Sequence, residues 1–214
     1  MIKIEKTEIY GWESAIRGMR NPMNSWNRSD SMFSDENAKV GNNDLKLMSN
    51  LSKSGADHAK FMRFIAVTAD ITAPLYWWKE YDTYKVGTVA NSCSSMHKIS
   101  ESIFELDDFS HEHLDVRAIK ILKNIVDMLN DYRELYVNYN PDDFEIRGCP
   151  SKKLIWWQMI QLLPSSYNQK RTVQLNYAVL KNMYHARKNH RLDEWIMFCE
   201  WIEGLPYARE IIMT

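Results

Sequence analysis

The sequence predicts an α+β fold, rich in helix with a smaller sheet. Three observations carry this. Val116, Ile119, Leu122, Val126 and Leu129 recur at three- and four-residue spacings within 113–137, the pattern of an amphipathic helix of several turns. Residues 152–163, KKLIWWQMIQLL, read as a buried helix stopped by Pro164. Short runs at 2–10 and 61–72 carry alternating or β-branched residues, as strands do. Mixed signals of this kind place helices against a sheet in one layered domain.

In chain order, 2–10 alternates apolar and charged residues, with Ile2, Ile4 and Ile9 on the inward face. Residues 21–43 are polar and turn-rich and read as one long loop, the kind of segment often given over to function or motion. Asn43-Asp44 leads into a short helix over 44–53. The run FMRFIAVTADIT, 61–72, reads as a strand, and Pro74 opens a helix where a missing N–H costs nothing. Residues 165–172 read as a polar link before two helices, near 175–188 and 192–203. No Gly/Ser/Pro-rich linker divides the chain, so one domain over 1–214 is expected.

Composition excludes several classes. Lys plus Arg is 27 against 28 for Asp plus Glu, a net charge of −1, which speaks against general nucleic-acid binding. No run of about 18 apolar residues suits a membrane span. The three cysteines, Cys93, Cys149 and Cys199, are odd in number and far apart, which suits a reduced, cytoplasmic setting. With seven glycines there is neither G-x-G-x-x-G nor G-x-x-x-x-G-K-[ST], and no C-x-x-C, H-E-x-x-H or G-x-S-x-G occurs. No metal ligand set is expected.

The last third concentrates recognition chemistry. Lys181, Arg187, Lys188 and Arg191 give it local positive charge, and Asn176 and Asn182 can each donate and accept. A solvated helix face would use the same residues. Two stretches then add spacing to composition. His58 stands sixteen residues before Pro74, and Leu163-Pro164 is followed by Asn176, Asn182 and Arg187. An early His before a strand, a Leu-Pro, two Asn and a late helical Arg, in this order and spacing, resemble the flavin-dependent thymidylate synthase family over roughly 55–98 and 160–203. The sequence departs from that family's pattern at 80–96. Its Arg-His-Arg becomes Thr83-Tyr84-Lys85, its preceding Gln becomes Glu80, and Asn-Glu-x-Ser-x-Arg becomes Asn91-Ser92-Cys93-Ser94-Ser95-Met96.

The resemblance implies a central antiparallel-type sheet and a homotetramer with sites between subunits. It also implies FAD, NADPH and methylenetetrahydrofolate as cofactors, and conversion of dUMP to dTMP. By the same resemblance, His58 sits at the active site, Asn176 and Asn182 contact flavin, and Arg187 holds the nucleotide. Lys85 is the remaining cation near flavin or substrate, and Ser92, Ser94 and Ser95 wrap the phosphate. Cys93 or Ser94 takes the motif serine position, depending on a register shift of one. At that position Cys93 could attack a pyrimidine as a thiolate activated by Lys85 or His97; otherwise it is a small buried cysteine. Glu80 is an acid–base group, a partner of Lys79 or a plainly solvated carboxylate, the last two being the default. Two rival readings stay open: an enzyme acting on another pyrimidine nucleotide, and a non-catalytic nucleotide-binding or assembly protein without flavin.

Overall fold

The computed structural model describes residues 1–34, 38–94, 98–141 and 151–214. Its strands are β1 (Lys3–Tyr10), β2 (Met32–Phe33), β3 (Ala38–Lys39), β4 (Ala66–Pro74), β5 (Val89–Ser92) and β6 (Asn168–Asn176). Its helices are α1 (Trp12–Arg20), α2 (Asn42–Lys53), α3 (Leu75–Tyr81), α4 (Val116–Val137), α5 (Lys152–Leu162), α6 (Tyr177–Arg187), α7 (Asp193–Glu203) and α8 (Ala208–Ile211). The main sheet has strand order β1-β4-β6-β5 and is of antiparallel type, while β2 and β3 form a separate two-stranded ribbon. The expected α+β class stands. No helix among the described residues is long and apolar enough to cross a membrane.

The chain divides into two compact units. One comprises Met1, Thr72–Lys79 and Ser92–Lys170; the other comprises Ile2–Ile71, Glu80–Asn91 and Arg171–Thr214. In the first, α4 packs along α5 and buries Leu122, Val126, Leu129 and Met159 with Phe104 and Phe109. Asp115 caps α4 by accepting from the Ala118 N–H at 2.9 Å. The helix 152–163, expected to be buried, is half so: Ile155 and Met159 are enclosed, whereas Leu154 and Trp157 are exposed. Trp77 and Trp78 are fully buried and meet edge to face at 4.8 Å, and Trp78 donates its indole N–H to the Gln169 carbonyl.

In the second unit, α1 was not expected from sequence. Its Trp12, Ala15, Ile16 and Met19 fall on one buried face. Gly11 opens it at φ +89°, where a Cβ would lie 2.0 Å from the Phe64 carbonyl oxygen. The expected loop 21–43 instead carries β2, β3 and the start of α2, and its part 21–34 is built around a buried ion pair. Arg20 donates through Nε to Asp44 at 2.6 Å, and its other nitrogens reach the carbonyls of Ser25 and Arg28. The hydroxyls of Ser29 and Ser31 both donate to the second Asp44 oxygen. Asp30 accepts from the N–H groups of Asn43 and Asp44 and so caps α2 from outside the helix.

Two expectations change. The strand assigned to 61–72 begins at Ala66, and Ala59–Arg63 forms a short 3-10 turn whose Phe61 and Met62 are buried. The link assigned to 165–172 runs into β6. That strand hides in sequence because a glutamine holds an inward place: Gln169, Val173 and Leu175 are buried, while Arg171 pairs with Asp82 at 2.8 Å.

Candidate functional site

The 80–88 segment, within the second unit, meets both ends of α6. At the N-terminal end Asn176 caps the helix, its Oδ1 accepting from the Val179 N–H at 3.1 Å. Gly87, at φ +76°, approaches that cap so closely that a Cβ would lie 2.9 Å from Val179 and 3.0 Å from the Asn176 side-chain nitrogen. At the C-terminal end Arg187 donates through Nε to the Tyr84 hydroxyl at 2.9 Å and through Nη1 to Glu80 at 2.6 Å. Its guanidinium lies 4.7 Å from the Trp195 ring centroid and 5.5 Å from that of Tyr84.

Glu80 is the centre of this cluster. One carboxylate oxygen accepts from Arg187, from the Trp195 indole at 3.2 Å, and faces His190 Nε2 at 3.3 Å. Arg187 is about one-fifth exposed and Glu80 about one-third, so the pair is shielded but reachable from solvent. Three further groups, Tyr84, His190 and Trp195, brace the pair, so it does not rest on one contact. The expected pairing of Glu80 with Lys79 is replaced by this longer-range one. The positive charge expected over 181–191 is absorbed in part, while Lys188 and Arg191 stay exposed. Arg187 is neutralised by Glu80, and Lys181 donates to the Ser52 carbonyl at 2.9 Å and its hydroxyl at 2.7 Å. Burial, with Lys53 nearby, holds the Lys181 ammonium below its ordinary range.

Lys85 is exposed between Tyr84 and Gly87, and Asn182 is exposed on α6, so both can donate to a ligand. His58 is exposed at the start of the Ala59–Arg63 turn, which packs against α6. It opens on a groove of about 1310 Å³ whose lining includes Asn24, Arg28, Asn43 and Asp57. The 80–88 segment thus reaches Asn176 at one end of α6 and Arg187 at the other, while His58 belongs to the groove under the 21–31 loop.

Ser92, Cys93 and Ser94 belong to the first unit. The Cys93 N–H donates to the Lys170 carbonyl at 3.0 Å, and the Gln169 side chain donates to the Cys93 carbonyl at 2.9 Å. Cys93 is exposed, so its reading as a buried cysteine is corrected; the buried one is Cys199, whose thiol burial pushes up to about 11. Ser92 is exposed and Ser94 half-buried, the Ser94 carbonyl accepting from the Lys98 N–H. Ser95 and His97 lie outside the described residues, as does Cys149. His190 and Trp195 were missed in sequence, since nothing local links them to Glu80, more than a hundred positions away.

No protein-family model and no curated protein matches the sequence. Solved structures do match the fold. One is thymidylate synthase X (ThyX) from Helicobacter pylori with FAD and dUMP, at TM-score 0.66 and 15% identity, covering 99% of this chain and 97% of that one. A second flavin-dependent ThyX structure from Helicobacter pylori, complexed with FAD and dUMP, gives the same score and identity over 98% of this chain and 97% of that one. At this identity the likeness speaks for architecture: over nearly its whole length, this chain has the fold of the flavin-dependent thymidylate synthases.

Proposed function

We propose that this chain is an enzyme of the flavin-dependent thymidylate synthase type, one domain over 1–214 that methylates dUMP to dTMP with FAD, NADPH and methylenetetrahydrofolate. The observation that carries the reading is the fold likeness over 99% of the chain to proteins whose structures hold FAD and dUMP. The order His58, Asn176, Asn182, Arg187 agrees with it. A homotetramer in the cytoplasm belongs to the same proposal.

The donor set suits a flavin in part. Lys85 and Asn182 present exposed donors, fitted to a pyrophosphate or a ring carbonyl, whereas the Asn176 oxygen is already used by its own helix cap. FAD, when bound, supplies the hydride chemistry that side chains lack. The chain's own part is to position and polarise. Arg187 would hold the nucleotide, and the Ser92 and Ser94 hydroxyls would receive a phosphate. His58 would border the site, and Cys93, being exposed, could serve as a nucleophile. Ser95, outside the described residues, would contact the same phosphate in this reading.

The Glu80–Arg187 pair favours one rival: an enzyme of the same fold acting on a different pyrimidine nucleotide. A carboxylate at the recognition arginine changes which ligand groups that arginine can take. The test is to incubate flavin-loaded protein with NADPH, methylenetetrahydrofolate and dUMP, in parallel with other pyrimidine nucleotides, and to identify products by mass. Formation of dTMP is expected. Turnover of another pyrimidine alone would favour the rival, and flavin-loaded protein with no product would refute both.

A further inference from the structure

The groove beside His58 carries charge that nothing in the fold uses. It lies wholly within the second unit, and its volume of about 1310 Å³ exceeds the roughly 300–1,000 Å³ typical of small-ligand pockets. Its ionisable lining comprises Arg20, Arg28, Asp30, Asp57, His58 and Lys60. Arg20 is neutralised by Asp44, and both Asp30 oxygens accept from the backbone N–H groups that open α2. That leaves the cations Arg28 and Lys60, both exposed and neither with a side-chain partner among the described residues. The carboxylate of Asp57 is exposed and unengaged in the same way.

Both cations spring from braced backbone. The Arg28 carbonyl accepts from Arg20 at 3.1 Å and its N–H donates to the Ser25 carbonyl at 3.1 Å, which ties it to the buried ion pair. Lys60 stands between Ala59 and Phe61, both buried, in the short turn that follows His58. Only the two side chains then need ordering when a ligand binds.

Two unengaged cations on one groove suit a ligand with two linked negative charges, and a pyrophosphate carries them. FAD and NADPH both contain the pyrophosphate of an adenine dinucleotide. Asp57 separates them: a carboxylate there can accept from ribose hydroxyls, whereas the 2′-phosphate of NADPH would meet it with like charge. The segment that holds Arg-His-Arg in the flavin-dependent pattern keeps one cation in this chain, Lys85. The charge missing at 83–85 is present at 28 and 60.

We propose that Arg28 and Lys60 bind the pyrophosphate of FAD in the groove beside His58, with Asp57 on a ribose, in place of the arginines missing from 83–85. The inference rests on the flavin reading above and adds which residues of this chain carry the cofactor's charge. Lys85 is then left for a ring carbonyl.

The experiment is titration of the flavin-free full chain with FAD, followed by flavin fluorescence, and in a separate arm with NADPH, followed by its own fluorescence. Wild type is expected to bind FAD. Arg28→Ala combined with Lys60→Ala should weaken that binding at least tenfold, because two charge-assisted contacts are lost, and should leave NADPH binding unchanged. Arg28→Lys combined with Lys60→Arg keeps both charges and should recover most of the affinity for FAD. Circular dichroism establishes that each variant is folded. FAD taken up equally by wild type and by the Ala pair would overturn the inference and leave the flavin reading standing. So would a charge-keeping pair as weak as the Ala pair, or an Ala pair that loosens NADPH and not FAD. A wild type that takes up no FAD would refute the flavin reading itself, and the inference with it.

Discussion

Glu80→Gln isolates the charge at the centre of the α6 cluster. Glutamine keeps the size of the side chain and a carbonyl to accept from Arg187 and Trp195, but gives up the negative charge that Arg187 meets at 2.6 Å. A hydrogen bond to a charged group contributes roughly 1.5–3 kcal/mol and a neutral one about 1. Glu80 is about one-third exposed, so solvent screening reduces the difference to about 1 kcal/mol of folding stability. For a chain of this size that lowers Tm by about 2–4 °C. The effect on binding has the opposite sign. In wild type an anionic ligand group must compete with the built-in carboxylate for Arg187. In the variant that charge-assisted contact becomes available, and affinity rises roughly tenfold to a hundredfold. The assay is calorimetric titration of both proteins with dUMP and with deoxyuridine, which lacks the phosphate. A gain for dUMP, with or without one for deoxyuridine, agrees with the reasoning and tells which part of the nucleotide meets Arg187. Unchanged or weaker binding of both ligands by a variant of lower Tm would refute it.

Other consequences follow from the same packing. Arg20→Met leaves the Asp44 carboxylate buried without its cation and should cost about 3–5 kcal/mol, read as a fall in urea midpoint with an unchanged m-value. Burial pushes the Asp44 carboxyl up, but the hydroxyls of Ser31 and Ser29 and the Arg20 guanidinium more than offset this and hold it below its ordinary range. Its stabilising contribution is therefore fully present above the ordinary carboxylate range and is lost as pH falls through the depressed value. Thermal melts against pH should show that acid slope, and Asp44→Asn should flatten it. Gly87→Ala must place a Cβ against Val179 and Asn176 at positive φ, so a loss of about 1–3 kcal/mol is expected on thermal unfolding.

What the sequence allowed to be read depended on how local the cause was. The helices α2, α4, α6 and α7 declare themselves through spacing and caps, because Asp115, Asn176 and the apolar positions act within one or two turns. Strand β6 did not, since its inward Gln169 and paired Arg171 look like loop residues until Cys93 and Asp82 supply their partners. Helix α1 was passed over because the chain around Gly11 gives no start signal; its necessity lies in the approach of Phe64. In the site, the order of His58, Asn176, Asn182 and Arg187 was legible. The state of Arg187 was not: Glu80, Tyr84 and Trp195 meet it, and His190 meets Glu80, only after α3, α6 and α7 pack.

The most direct test of the account is an absorbance spectrum of the purified protein with and without added FAD, followed by titration with dUMP. A protein-bound flavin band that shifts as dUMP saturates the site is expected. A protein that takes up no flavin and leaves dUMP unbound would contradict it, and would leave a shared fold without the shared chemistry.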